Sequence, residues 1–175
     1  MKQTTALRIG RSALVAALAG GVVLAGVAPA ANAAPAAQKA TLGPFGYGSL
    51  KLGMTEAQAK ATGLIVRKAI NAPTKCSAYD LKAQRYGGDR AGLFISKKQG
   101  VVTISAPGTV KTPQGIGRGS TPAQLKAAYP KLNQNVTFGT FATVPGNPKA
   151  SYIFLVSKRM VLGVVLILNA QNCLR

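Results

Sequence analysis

The sequence predicts an α+β domain made of two tandem units, each a short helix followed by antiparallel hairpin strands. The stretch LGMTEAQAKA, which begins at Leu52, recurs in altered form as RGSTPAQLKA, which begins at Arg118. Runs of β-branched and aromatic residues follow each copy, and turn residues separate these runs at hairpin distances. We therefore expect the two repeats to form one curved antiparallel sheet with the short helices on one side.

The N-terminal segment has the composition of a secretory signal peptide. It contains the cations Lys2, Arg8 and Arg11, then an apolar run without a charge over residues 12–27, and residues 31–33 read Ala-Asn-Ala. Small residues in this arrangement are typical of a signal peptidase site. The alternative is a transmembrane anchor, but the apolar run is shorter than the ~20 residues that a span requires.

The predicted organisation is a signal peptide over residues 1–33, a flexible tail over 34–41 and a single domain over 42–175. The tail is rich in Ala and Pro, a composition typical of disordered chain ends. The two units of the domain cover about 42–110 and 111–175. We expect a monomer without a transmembrane segment that is secreted into the medium or associated with the cell wall.

Each copy of the repeated stretch predicts the start of a helix. Thr55 and Thr121 are suitable N-caps, and Gln58 and Gln124 follow them at the spacing of a capping box. In this motif the Thr oxygen accepts from a backbone N–H of the first turn, while the Gln side chain accepts from the N–H of the cap itself. Both helices are short, so each must pack on other elements to persist.

The residues inside and after these helix starts suit their positions. Glu56 occupies the first helical position, where a negative charge is favourable, and Pro122 occupies it in the second copy, where its missing N–H costs nothing. The first helix is predicted to end at Gly63 and the second just before Pro130.

Three strands are predicted after each helix. They span residues 76–84, 92–96 and 101–105 in the first unit, and about 136–144, 151–157 and 161–168 in the second. Gly, Asp, Lys, Pro and Asn supply the turns between them. The last hairpins of the two units resemble each other, with ISKKQGVVTI from Ile95 and VSKRMVLGVV from Val156.

The two cysteines, Cys76 and Cys173, fall one in each unit. In an exported protein an even count of cysteines predicts a disulfide, and only one pairing is available here. Two buried free thiols are the alternative. A zinc site is not expected, because the chain contains no His and the two thiols are far apart in the sequence.

The chain is strongly basic, with 22 Lys and Arg against 3 acidic residues and a formal net charge of +19. Most cations therefore have no acidic partner within the chain, and such an excess favours association with polyanions. After export we expect anionic wall polymers, anionic lipid surfaces or acidic proteins as partners, and no nucleic acid. The alternative is that the charge only keeps the protein soluble.

Four of these cations are the candidate binding residues, because they occupy the matching hairpin turns of the two units. They are Lys97, Lys98, Lys158 and Arg159. Repeated positive turns can contact a polyanion or an acidic partner at two places. The alternative is that they are solvated turn residues.

The sequence does not predict an enzyme. Without His the chain lacks the usual base of Ser and Cys hydrolases and the commonest metal ligand. Of the three acids, Glu56 belongs to a helix start and Asp89 to a Gly-Gly-Asp turn. Asp80 lies on a predicted strand, where we expect a salt link to a neighbouring cation. We predict no catalytic residue, no cofactor and no metal.

The Gly-Met-Thr-x-x-Gln signature over residues 53–58, repeated more weakly over 119–124, resembles that of the β-lactamase inhibitor proteins of streptomycetes. The signature is also similar to that of the outer-membrane assembly lipoproteins of the SmpA/OmlA type, and the whole pattern resembles secreted proteins of actinobacteria. In the inhibitors, two such units form a curved sheet whose concave face grips a protein loop. The resemblance therefore implies binding rather than catalysis.

This chain departs from the inhibitor pattern in two respects. The inhibitors carry a disulfide within each unit, whereas a bond between Cys76 and Cys173 would join the two units. The inhibitors' contact surface is rich in aromatic residues, whereas this chain has no Trp and a basic turn at Lys97 and Lys98. We expect a secreted, non-enzymatic, inhibitor-like module that engages an extracellular protein, or alternatively a basic envelope protein that binds anionic wall polymers.

Overall fold

The computed structural model of the chain describes residues 40–137 and 139–174. The predicted signal peptide and residues 34–39 of the predicted tail lie outside these residues. Within them, most of the regular structure is antiparallel sheet and the rest is two short helices. The α+β class is confirmed at this level. No helix in this part of the chain is long and apolar enough to cross a membrane.

The described elements alternate between helices and groups of strands. The first group is β1 (Leu42–Gly43), β2 (Gly46–Tyr47) and β3 (Leu50–Lys51). Helix α1 (Glu56–Ala61) follows, and then β4 (Ile65–Arg67), β5 (Cys76–Leu81), β6 (Leu93–Ser96) and β7 (Gly100–Ser105). Helix α2 (Pro122–Ala128) precedes β8 (Asn133–Asn135), β9 (Gly139–Val144), β10 (Asn147–Val156) and β11 (Val161–Leu168).

Strands β4 to β11 form one antiparallel sheet in the order β4-β5-β6-β7-β11-β10-β9-β8. Each half of this sheet therefore consists of four strands that are consecutive in the chain. The halves meet where β7 pairs with β11, with Thr103 opposite Ile167 and Ser105 opposite Val165. Because β7 and β11 run antiparallel, the turn before β7 and the turn before β11 lie at opposite ends of the sheet.

The structure contains a second sheet that the sequence analysis did not predict. Strands β1, β2 and β3 form a separate three-stranded antiparallel sheet. The hydroxyl of Tyr152 donates to the carbonyl of Leu42 at 2.8 Å, and the side chain of Asn147 donates to the carbonyl of Pro44 at 2.8 Å. These bonds attach the small sheet to β10. The predicted single sheet is thus one large sheet with a small one beside it.

Both helices begin with capping boxes at the predicted residues. The hydroxyl oxygen of Thr55 accepts from the backbone N–H of Gln58 at 3.3 Å, and the Gln58 side chain accepts from the N–H of Thr55 at 2.9 Å. Thr121 and Gln124 make the same two bonds at 3.1 and 2.9 Å. The chain leaves α1 through Gly63, whose φ of 70° is a left-handed value that Gly adopts readily.

One face of the large sheet carries the main core, and both helices pack on it. Ala59 of α1 and Leu125 of α2 are buried in the same cluster as Tyr152 and Phe154 of β10. Tyr129, just after α2, packs its ring 5.0 Å from the ring of Phe154 and 6.0 Å from that of Tyr152. Burial raises the pKa of Tyr129 to about 12, so its phenol stays neutral at ordinary pH.

Candidate functional site

The face of the large sheet opposite the helices, which we call the open face, is only partly covered. Leu93 and Ile104 point into the main core, so their neighbours Phe94 and Thr103 point to the open face. Thr103 is opposite Ile167 of β11, so the open face continues across the centre of the sheet. Phe94 remains half-buried there. Phe94 packs there against the buried cluster of Cys76, Val102 and Cys173.

The last described residues, 169–174, form a strap that crosses one end of the open face. A disulfide joins Cys173 of the strap to Cys76 of β5, with the two Cα atoms 5.9 Å apart. The side chain of Gln99 donates to the backbone of the strap at 2.7 Å, and the buried Gln171 accepts from the N–H of Cys173 at 2.6 Å. The predicted disulfide is thus present, and it holds the strap on the sheet.

A groove of about 830 Å³ lies on the open face, with Leu174 of the strap in its lining. Its other walls come from residues 84–91, between β5 and β6, and from residues 105–110 together with Arg118, at and beyond the end of β7. Leu155 of β10 and Leu162 of β11 also line it, and they are 51% and 53% exposed. Large apolar side chains exposed together in a concave surface are typical of a binding site.

Three arginines stand at the rim of this groove. Arg85, Arg90 and Arg118 all line it and are exposed, and none makes an ion pair with a described residue. The Arg118 side chain lies against the backbone of Gly108, where an added Cβ would approach its Cδ to 3.5 Å. Asp89 is the one acid in the described lining, and it is also exposed. The rim therefore carries net positive charge.

The buried carboxylate of Asp80 positions the wall that carries Arg85 and Arg90. It accepts from the backbone N–H of Tyr86 at 3.1 Å and from that of Gly92 at 2.9 Å. The ammonium group of Lys68 lies 3.7 Å from this carboxylate and donates to the carbonyl of Tyr86. The predicted salt link of Asp80 is therefore present. The main role of the Asp80 carboxylate is to accept hydrogen bonds from the backbone on both sides of the loop.

The two long walls of the groove are also tied to each other. The backbone N–H of Gly108 donates to the side-chain carbonyl of Gln84 at 2.6 Å. Gly92 closes the base of the 84–91 wall, since a Cβ there would approach the Tyr86 ring to 2.9 Å. Hydrogen bonds within the protein therefore hold the two walls in place.

The remaining acid with a defined contact, Glu56, lies on the helix side of the sheet. Its carboxylate is 2.8 Å from the ammonium of Lys60 and 3.5 Å from the guanidinium of Arg67, and it accepts from the hydroxyl of Tyr79 at 2.5 Å. The hydrogen bonds from Lys60 and Tyr79 lower its pKa to about 2. Because Tyr79 and Asp80 are consecutive on β5, the Glu56 and Asp80 carboxylates lie on opposite faces and cannot act as a pair.

The structure places the four predicted binding cations at two separate turns. Lys97 and Lys98 follow β6, Lys158 and Arg159 follow β10, and all four are exposed. The turns lie at opposite ends of the sheet, so the two pairs do not form one positive patch. None of the four lines the groove.

No group of three or more potential metal ligands occurs among residues 40–137 and 139–174. The sequence pattern does not predict the groove, whose rim comes from Arg85, Arg90 and Arg118. These residues lie in connections between the predicted elements. Asp80 is the one signal toward this region, because the predicted strand places an acid close to the connection that carries Arg85 and Arg90.

Comparison with protein-family models, curated protein sequences and solved structures found no match to this chain. In the part of the chain described here, the arrangement presents an apolar floor between positive walls, and it presents no pair of acids and no metal cluster.

Proposed function

We propose that this chain is a secreted, non-enzymatic binding module that engages an extracellular protein through the open face of its large sheet. The groove on that face carries the proposal, because Leu155 and Leu162 are both about half exposed within it. Exposed apolar surface costs free energy in water unless a partner covers it. The wall contacts of Asp80 and Gln84 keep this surface open in the free protein.

We also propose that the domain consists of two copies of one unit. The mirrored strand order supports this, because each half of the large sheet follows one helix. Val101 exchanges two backbone hydrogen bonds of 2.8 Å with residues 53–54, and Val161 exchanges two of 2.8 Å with residues 119–120. Equivalent strands thus hold equivalent helix starts in the two halves.

The hairpin turns support the same relationship. The hydroxyl oxygen of Ser96 accepts from the backbone N–H groups of Lys98 and Gln99, and that of Ser157 accepts from those of Arg159 and Met160. A duplicated unit with one sheet face left open is the arrangement implied by the resemblance to the β-lactamase inhibitor proteins. That resemblance favours a protein as the partner.

The second candidate function is a basic envelope protein that binds anionic wall polymers. The charge of the chain favours it, with 22 cations against 3 acids. Lys97, Lys98, Lys158 and Arg159 are exposed at opposite ends of the sheet, which allows contact with a long polymer at two points. In this case the turns would be the site, and the groove would not.

One experiment separates the two functions. The tagged protein is incubated with the proteins of its culture medium and, separately, with isolated cell walls, at increasing salt. A groove variant, Leu155→Ser with Leu162→Ser, is compared with Phe45→Ser with Met160→Ser. The control changes two residues that are 55% and 41% exposed outside the groove lining.

We expect the groove variant to lose a partner protein that the control and the wild type both retain. A variant with Glu at all four turn cations should retain that protein. If the turn variant alone loses retention, and the loss is on cell walls, the polymer function replaces the protein function. Salt should then release the wild type steeply, because counterions screen exposed charges.

A further inference from the structure

We infer that the groove takes an extended, acidic segment of the partner protein, with its carboxylates at the arginine rim and an apolar side chain on the floor. This inference rests on the proposed function, because it names the partner chemistry of the same groove. Charge complementarity identifies the occupant. Arg85, Arg90 and Arg118 line the groove without an ion-pair partner among the described residues.

Arginine fits carboxylates better than other cations do. Its planar guanidinium donates two parallel hydrogen bonds to one carboxylate, and the geometry is specific as well as favourable. The three rim arginines come from two walls, since Arg85 and Arg90 precede β6 and Arg118 follows β7. A single segment lying along the groove therefore meets positive charge on both sides.

The floor of the groove is apolar, so the bound segment needs an apolar side chain in addition to its carboxylates. Leu155 and Leu162 expose about half of their surface, and Val165 and, farther along the groove, Phe94 line it as half-buried residues. An alternating acidic and apolar peptide satisfies both parts in an extended conformation, because successive side chains point to opposite sides. A wall polymer of repeated phosphates supplies the charge but leaves the leucines uncovered.

The groove is prepared for such a segment before binding. The Asp80 carboxylate fixes the loop that carries Arg85 and Arg90, and Gln84 fixes that loop against Gly108. Ordering of loops and side chains opposes association, so walls that are already ordered favour tighter binding. The volume of about 830 Å³ lies within the range of roughly 300–1,000 Å³ that is typical of ligand sites.

The test uses the protein purified from its producing cells or their medium and a fluorescent synthetic peptide of alternating Glu and Val. The same peptide with Lys in place of Glu, a peptide of Glu alone and a glycerol-phosphate polymer are the comparison probes. Anisotropy gives the affinity at several salt concentrations. A second variant, the rim variant, carries Arg85→Glu, Arg90→Glu and Arg118→Glu. Its control, with an equal change of charge, carries Lys97→Glu, Lys98→Glu and Lys158→Glu.

We expect the Glu–Val peptide to bind the wild type more tightly than every comparison probe. The rim variant should weaken it by about tenfold or more, because it replaces attraction with repulsion at three points of the rim. The control should weaken it by less than about threefold, through long-range charge alone. Equal losses in the two variants, or equal binding of the glycerol-phosphate polymer, would overturn the inference.

A measurement on the wild type alone guards against misfolding of the variants. Phenylglyoxal modifies exposed arginines, and peptide mapping identifies the modified positions. We expect the Glu–Val peptide to protect Arg85, Arg90 and Arg118 while leaving Arg159 reactive. Recovery of a partner protein without binding of the acidic peptide would reject this inference and leave the proposed function standing. Failure of both would reject both.

Discussion

The carboxylate of Asp80 accepts a hydrogen bond from the backbone N–H of Gly92 at 2.9 Å, and it accepts another from Tyr86. Asp80→Ala leaves both donors without this acceptor, so we expect a loss of about 2–3 kcal/mol in the free energy of unfolding. Asp80→Asn keeps one acceptor and should lose less. Urea titration measures these values.

Asp89→Ala is the matched control, because Asp89 is exposed on the same loop. It should change stability by less than about 0.5 kcal/mol. Trypsin gives a second readout, since the loop contains Arg85 and Arg90. Trypsin should cleave the Asp80→Ala variant at Arg85 and Arg90 faster than it cleaves the wild type. Equal stability of the Asp80 and Asp89 variants would show that the buried carboxylate does not hold the wall.

The two capping boxes predict equal effects at two distant sites. Thr55→Ala and Thr121→Ala each remove the acceptor for one backbone N–H of a first turn. Each should lower the free energy of unfolding by about 1 kcal/mol. Thr→Ser at the same positions keeps the hydroxyl and serves as the control. Thermal melts should show a smaller loss of stability for Thr→Ser than for Thr→Ala. A negligible effect at one site alone would contradict the equivalence of the two helix starts.

The disulfide between Cys76 and Cys173 joins residues 97 positions apart in the chain. Cross-linking so long a loop restricts the unfolded chain, and the chain-entropy model gives a stabilisation of about 4–5 kcal/mol. Cys76→Ala with Cys173→Ala should lose about this amount in a denaturant titration. Intact mass of the native protein, alkylated without reduction, should show no free thiol. Two alkylated thiols in native material would argue against the bond.

The contacts of Glu56 predict a pH dependence at low pH. Its pKa is lowered from 4.5 to about 2 in the folded protein. Stability from these contacts is therefore fully present above about pH 4.5 and is lost as the pH falls through about 2. Glu56→Gln removes the titration. We expect the wild type to melt above this variant at pH 7.

The difference in melting temperature between wild type and Glu56→Gln should shrink as the pH falls from about 4.5 to about 2. Other effects of acid, such as the rising net charge, act on both proteins and cancel in the comparison. High salt should also reduce the difference, because Lys60 and Arg67 are more than half exposed. A difference that stays constant with pH would contradict the assigned contacts.

Local signals in the sequence predict the helices and the longer strands well. The capping boxes correctly predict where both helices begin. The predicted end of α1 at Gly63 lies close to its observed last residue, Ala61. Strands β7 and β11 fall within a residue of their predicted bounds, because turn residues flank them. The strand predicted over 76–84 ends at Leu81 in the structure, where Asp80 begins to hold the loop.

The short strands and the groove could not be predicted in the same way. Strands β1, β2 and β3 have two residues each, and β4 and β8 have three, too few to show a periodic pattern. The groove combines Arg85 and Leu162 in one lining, which requires the pairing of β7 with β11. That pairing depends on the fold of the whole chain, and no local sequence pattern in β7 or β11 indicates it.

The central pairing of β7 with β11 also determines when the sheet can be completed. The inner edge of the first half stays unpaired until β11 has been synthesised, because its partner is the last of the described strands. Pairings between distant segments form slowly, and an open apolar edge invites association with other chains. A chain that stops before Val161 keeps this edge bare. We therefore expect the first half of the sheet to be most prone to association before β11 has paired with it.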